Sequence, residues 1–231
     1  MSEKRYNPGE CYDYPLIIKK LLVQPLAVAP ENEIVYRDQW RYTYRDMAER
    51  VHRLANCLSS LSVQAGDTVA VMDWDSHRYL ECFFAVPMIG AVLHTINVKL
   101  SPEQILYTID HAEDDVLLVH SDFLPILEQI KGRISTVRDY VLLKENGGTT
   151  DSHISFTGEY EALLAEAEST CDYPDLDEHS RATTFYTTGT TGLPKGVYFS
   201  HRQLVLHTLG AMAAVCSPES QGRVHQNDVY M

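Results

Sequence analysis

Between Thr68 and Leu143 the chain keeps changing period, with short apolar runs alternating with longer amphipathic stretches. Where apolar strands alternate with helix-length connections, a parallel sheet is the economical architecture, because parallel strands need such a crossover. "AGDTVAVMD" places a turn at Gly66 and Asp67 and a buried strand over Thr68–Met72. His77–Ile89 predicts a helix that Pro87 must bend or end. "GAVLHTIN" is a second short buried strand, and "SPEQ" after it offers Ser101 as N-cap, Pro102 at the first helical position and Gln104 reaching back. That helix should run to about Ala112, followed by strand Val116–His120, helix Phe123–Ile130, strand Tyr140–Leu143 and a short helix near Tyr160–Ala167. Upstream, Tyr44, Met47, Val51, Leu54, Leu58 and Leu61 step by 3, 4, 3, 4 and 3 along one helical face, with Thr43 as N-cap. The expected fold class is α/β, a doubly wound, mostly parallel sheet flanked by helices.

Charge and composition narrow the partners. Nineteen basic against 32 acidic residues leave a formal charge of −13, with no lysine- or arginine-rich run, which argues against nucleic acid and anionic membrane surfaces. A chain of 231 residues that is 45% hydrophobic can bury one large core or two small ones. Cys11, Cys57, Cys82, Cys171 and Cys216 are odd in number and scattered without a CxxC pair, and read as reduced thiols. The start "MSEKRYNPGE" has no apolar signal core, and the longest apolar run, Cys82–Leu93, is twelve residues with Pro87 inside it, too short to span a bilayer. A cytoplasmic protein is expected. "KENGGTTDSH", Lys144–His153, has the composition of a mobile surface excursion.

The twelve residues 186–197, "YTTGTTGLPKGV", hold four threonines, three glycines and one lysine between apolar flanks Thr183–Tyr186 and Val197–Phe199 that read as strands. Small residues let backbone N–H groups approach a polyphosphate, while hydroxyls and an ammonium add donors and charge. The spacing is not that of a Walker A loop, since Lys195 is followed by Gly196 and Val197 rather than Ser or Thr, and a strand rather than a helix follows. The bland alternative is a strand-to-strand hairpin that is merely rich in threonine and glycine.

The contiguous "YTTGTTGLPKGV" resembles the phosphate-loop signature of the adenylate-forming (AMP-binding) superfamily, which includes acyl-CoA synthetases, luciferases and peptide-synthetase adenylation domains. Glu81–Val119 is similar to an upstream block of that family, and its "GAVLHTIN" and "HAED" are most like medium- and long-chain fatty-acyl-CoA synthetases. The resemblance implies an ATP-dependent acid–thiol ligase: a carboxylate attacks the α-phosphate of ATP, and coenzyme A then displaces AMP from the acyl-AMP. It places Thr187, Thr188, Gly189, Thr190, Thr191, Gly192 and Lys195 around the ATP phosphates, with Thr187 near Mg²⁺, and Gly189, Gly192 and Gly196 at backbone angles closed to bulkier residues. Coenzyme A and a fatty acid are the implied co-substrates.

Other polar residues read more plainly. His201 and Arg202, after the strand, are expected to be a solvated pair at a helix start; His94 and His111 are expected as packed or surface histidines rather than metal ligands; the acidic run Asp172–Glu178 is expected to be a solvated loop; Cys82 is expected in the core. Family members are more than twice this length, and Val229 to Met231 read as the start of an unfinished strand. The expectation is therefore that residues 1–231 form an incomplete N-terminal domain with no C-terminal domain, catalytically incomplete alone, with a face through which it could form a homo-oligomer. Three readings stay open: a piece of a fatty-acyl-CoA synthetase, a piece of another adenylating enzyme such as an aryl-acid ligase or peptide-synthetase domain, and a non-catalytic binding module keeping the fold.

Overall fold

The structure, a computed structural model, describes residues 14–145, 152–187, 192–217, 223–225 and 228. After a short helix α1 (Val23–Val28), strands β1 (Glu33–Tyr36) and β2 (Trp40–Thr43) form an antiparallel hairpin. Helix α2 (Tyr44–Ser60) begins at a capping box: Thr43 Oγ1 accepts from the Asp46 N–H, and Asp46 Oδ2 accepts from the Thr43 N–H at 2.8 Å. There follow β3 (Thr68–Met72), α3 (His77–Met88), β4 (Val92–Thr95), α4 (Pro102–Ala112), β5 (Asp114–His120), α5 (Leu124–Ile130), β6 (Asp139–Leu143), β7 (Gly158–Glu159), α6 (Tyr160–Glu166), β8 (Arg181–Thr187), β9 (Lys195–Ser200) and α7 (His201–Val215).

The main sheet has the order β7-β6-β5-β3-β4-β8-β9, parallel throughout except for β8 and β9. The alternation seen in the sequence is thus a doubly wound α/β sheet, as expected. Strand β3 is buried on both faces: Val69 and Val71 join a core with Leu54, Leu58, Ala85 and Leu164 from α2, α3 and α6, while Ala70 and Met72 join another with Ile105, Ile109, Leu127 and Ile130 from α4 and α5. Cys82 is fully buried.

Each predicted element lies within two residues of its expected bounds. Pro87 sits in the last turn of α3, whose end is closed by Gly90 at φ +86°. Ser101 and Gln104 form the anticipated capping box. The β1–β2 hairpin is additional. It is held by a buried ionic clasp in which Arg50 of α2 makes two hydrogen bonds each to Glu81 of α3 and Glu161 of α6, while its guanidinium lies 5.2 Å over the Trp40 ring. Glu81 is fully buried and also accepts from the Tyr160 hydroxyl at 2.6 Å. Residues 146–151 of the anticipated surface excursion, and Val229–Met231, lie outside the described residues; Glu145, beside the former, accepts from Arg78 at 3.2 Å.

Candidate functional site

Strands β8 and β9 pair antiparallel, with Tyr186 opposite Gly196 and Thr187 opposite Lys195. The flanks of the Thr/Gly stretch are therefore the two arms of a hairpin, and the stretch is its tip. Since β8 runs parallel to β4, this tip leaves the sheet at the carboxyl edge, where open α/β sheets bind ligands. Thr187 and Lys195 are both exposed and face each other at the mouth, which puts a hydroxyl and a cation about 5 Å apart at their Cβ atoms. Gly192 has φ +103° in open space, so its requirement is conformational. Thr188, Gly189, Thr190 and Thr191 lie outside the described residues.

Gly196 differs from expectation. It lies in β9 without a positive φ, and a Cβ built there would come within 3.3 Å of the Tyr186 ring. Packing against the ring of its cross-strand partner, rather than an unusual backbone angle, is what calls for glycine. Tyr186 is buried, and its hydroxyl lies 2.8 Å from His111 Nδ1 on α4. Burial, then the Asp114 carboxylate, pushes its phenol up to about 12, so the O–H is retained as a donor. Below the ring, 5.2 Å between centroids, is His94, whose Nδ1 lies 2.8 and 2.9 Å from the two Asp114 carboxylate oxygens; both residues are fully buried. Burial raises the Asp114 carboxyl to about 6 against the opposing pull of His94. Among the described residues no group of three or more His, Cys, Asp or Glu is placed to hold a metal ion. The pairing of His94 with Asp114 was not visible in the sequence, because the two residues stand 20 positions apart on strands separated by β3.

On the other face of β8 lies an apolar cavity of about 350 Å³, lined by Phe83, Phe185, Phe199 and Leu204 with Thr95, Thr183, Gln203 and His207. Phe185 and Phe199 stack across the strands at 5.7 Å. Phe185 and Thr187 share a face of β8, two residues apart, so the cavity ends roughly 7 Å from the mouth of the loop.

Two sequence expectations need correction. His201 is not solvated: it is fully buried, and its Nδ1 accepts from the Ile18 N–H at 3.3 Å. Burial lowers it to about 4, so it is neutral at pH 7, as an acceptor must be. Nor is Glu178 a free solvated acid; it accepts from the Leu16 N–H at 2.7 Å and pairs with Arg202. Both contacts reach back to the start of the described chain, a separation in sequence that local patterning cannot register.

The model of the AMP-binding enzyme family matches residues 24–231. The chain is 40% identical over 217 residues to a long-chain-fatty-acid–CoA ligase of Thermus thermophilus, covering 91% of this chain and 38% of that protein. It is 38% identical over 216 residues to a 3-methylmercaptopropionyl-CoA ligase of Ruegeria pomeroyi (90% and 39%), and 38% identical over 169 residues to a medium-chain-fatty-acid–CoA ligase of Ectopseudomonas oleovorans (73% and 31%). Among solved structures, an anthranilate CoA ligase in complex with anthranoyl-AMP superposes with a TM-score of 0.76 at 25% identity, over 85% of this chain and 37% of that one. The chain thus spans less than two-fifths of the length of these relatives. No helix among the described residues is long and apolar enough to cross a membrane. The family match extends over the sheet, the hairpin and the loop alike, and the chain belongs to the AMP-binding enzyme family.

Proposed function

We propose that this chain carries the polyphosphate-binding part of an ATP-dependent acid–thiol ligase of the fatty-acyl-CoA synthetase type. The observation that carries the reading is the hairpin mouth, where the register sets Thr187 beside Lys195 at the carboxyl edge of the sheet, within a sequence that the family model matches over residues 24–231. In-line attack of a carboxylate on the α-phosphate builds charge on the departing pyrophosphate. Lys195 supplies a cation for that charge, and the hydroxyls and amides of Thr187, Thr188, Gly189, Thr190, Thr191 and Gly192 supply donors. Mg²⁺ would enter as ATP·Mg²⁺ and offset charge on the departing phosphates, and Thr187, exposed at the mouth, is the residue that would offer it an oxygen. The acyl tail is assigned to the apolar cavity beside Phe185, and coenzyme A thiol is the final acceptor.

Residues 1–231 on this reading are one incomplete domain. Alignment of acid, α-phosphate and metal can account for about 7–11 kcal/mol of barrier lowering, and this chain spans 38% of the length of the ligase of Thermus thermophilus. In an ATP–pyrophosphate exchange assay with C2 to C16 acids, the chain alone should give no acid-dependent label above background. Robust acid-dependent exchange would show that a smaller unit suffices. An aryl acid in place of a fatty acid is the second reading, favoured by the anthranilate ligase superposition and decided by which acids support exchange in a longer chain.

A further inference from the structure

The loop mouth is anchored from below by one aromatic side chain. Tyr186 precedes Thr187 in β8, and its cross-strand partner Gly196 follows Lys195 in β9, so the ring sits under both residues that form the mouth. Four residues fix the ring. Gly196 leaves room for it where any Cβ would stand 3.3 Å away; Tyr107 and His94 pack around it at centroid distances of 6.4 and 5.2 Å; and its hydroxyl meets His111 Nδ1 at 2.8 Å. Among the described residues β9 ends the sheet and none of its residues is buried, so the contact from α4 to Tyr186 braces β8, the strand on which β9 is paired. A ring laid over a cross-strand glycine compensates for the missing side chain at such an edge.

We propose that Tyr186 and His111 act together as positioning residues, fixing the separation of Thr187 and Lys195 so that the phosphate-binding donors are in place before the ligand arrives. The inference rests on the phosphate reading above. Neither residue touches phosphate. Tyr186 acts through the backbone of its two neighbours, and His111 through the Tyr186 hydroxyl. Preorganisation of this kind shows in affinity, because a mouth free to splay has to be ordered at the moment of binding.

The test is calorimetric titration of the whole 231-residue chain with inorganic pyrophosphate and Mg²⁺. Tyr186→Phe keeps the ring and removes the hydroxyl; it should weaken binding about five-fold, the size of one hydrogen bond. His111→Ala should cost the same, and the double variant no more than either single one, since both remove the same bond. His111→Asn, whose amide oxygen can reach the position of Nδ1, should return the affinity to within about two-fold of wild type. Thermal melts identify any variant that loses its fold, and Tyr186→Phe is the least disruptive of the set. Wild-type binding with unchanged affinity in both single variants would overturn the positioning role alone. Additive losses in the double variant, or no rescue by asparagine, would also overturn it. Absence of pyrophosphate binding by the wild type would overturn the phosphate reading and this inference with it.

Discussion

Replacing Arg50 with leucine removes the centre of the clasp that joins the β1–β2 hairpin, α2, α3 and α6. Four hydrogen bonds of 2.7–3.2 Å are lost, two to Glu81 and two to Glu161. The main cost is what stays behind. Glu81 is fully buried, and without Arg50 its carboxylate keeps the Tyr160 hydroxyl as a donor at 2.6 Å but loses its ion-pair partner. Breaking a buried ion pair from one side costs about 3–5 kcal/mol, well above the roughly 0–1 kcal/mol of an exposed pair. In a domain of this size that corresponds to a fall of roughly 6–20 °C in Tm. Urea unfolding followed by tryptophan fluorescence suits the case, because Trp40 lies 5.2 Å under the guanidinium. Glu81→Gln added to Arg50→Leu should recover part of the loss, since a neutral amide needs no counter-charge. A loss below about 1 kcal/mol for Arg50→Leu, or no recovery in the double variant, would mean that water reaches Glu81 and that the clasp is not a buried one.

Asp114 carries a pH signature. Its folded pKa, about 6, lies above its ordinary value of 3.8, so the stability it contributes is fully present below about pH 4 and is lost as pH rises through 6. Asp114→Asn should remove that slope, worth roughly 1–3 kcal/mol, and urea midpoints at pH 4 to 7 for the two proteins would run parallel if the reasoning were wrong. Gly90 closes α3 at φ +86°, where a Cβ would meet Ala65 Cβ and Leu176 Cδ2 at 3.0 Å. Left-handed strain and overpacking together predict that Gly90→Ala destabilises by about 2–4 kcal/mol, and a urea midpoint within error of wild type would refute both.

Local periodicity carried most of the fold into the sequence. The 3, 4, 3, 4 spacing from Tyr44 and the "SPEQ" start are decided within one or two turns of chain, so α2 and α4 could be read with their caps. Val69 and Val71 with Ala70 and Met72 also announce a strand buried on both faces, and hence a parallel sheet with helices on each side. What was not legible depends on residues brought together across the fold. His201 pairs with the Ile18 backbone 183 positions away, and nothing near "SHRQ" distinguishes a buried acceptor from a solvated helix start. Gly196 belongs to a glycine-rich motif, which suggests a backbone requirement; only the strand register shows that the Tyr186 ring occupies its space. The candidate loop could be singled out in the sequence because it is contiguous. Its support from His111 could not, because α4 and β8 meet only through the sheet order.

The proposed function requires that the mouth formed by Thr187 and Lys195 bind polyphosphate. The most direct measurement is titration calorimetry of the 231-residue chain with pyrophosphate and Mg²⁺, comparing wild type with Lys195→Ala. Lys195 is exposed at the start of the edge strand, so its truncation should leave the fold intact and remove one charge-assisted contact. A contact of that kind contributes about 1.5–3 kcal/mol, which predicts measurable wild-type binding that weakens by roughly 10- to 150-fold in the variant. An isotherm unchanged by Lys195→Ala would contradict the account and take this loop out of phosphate binding.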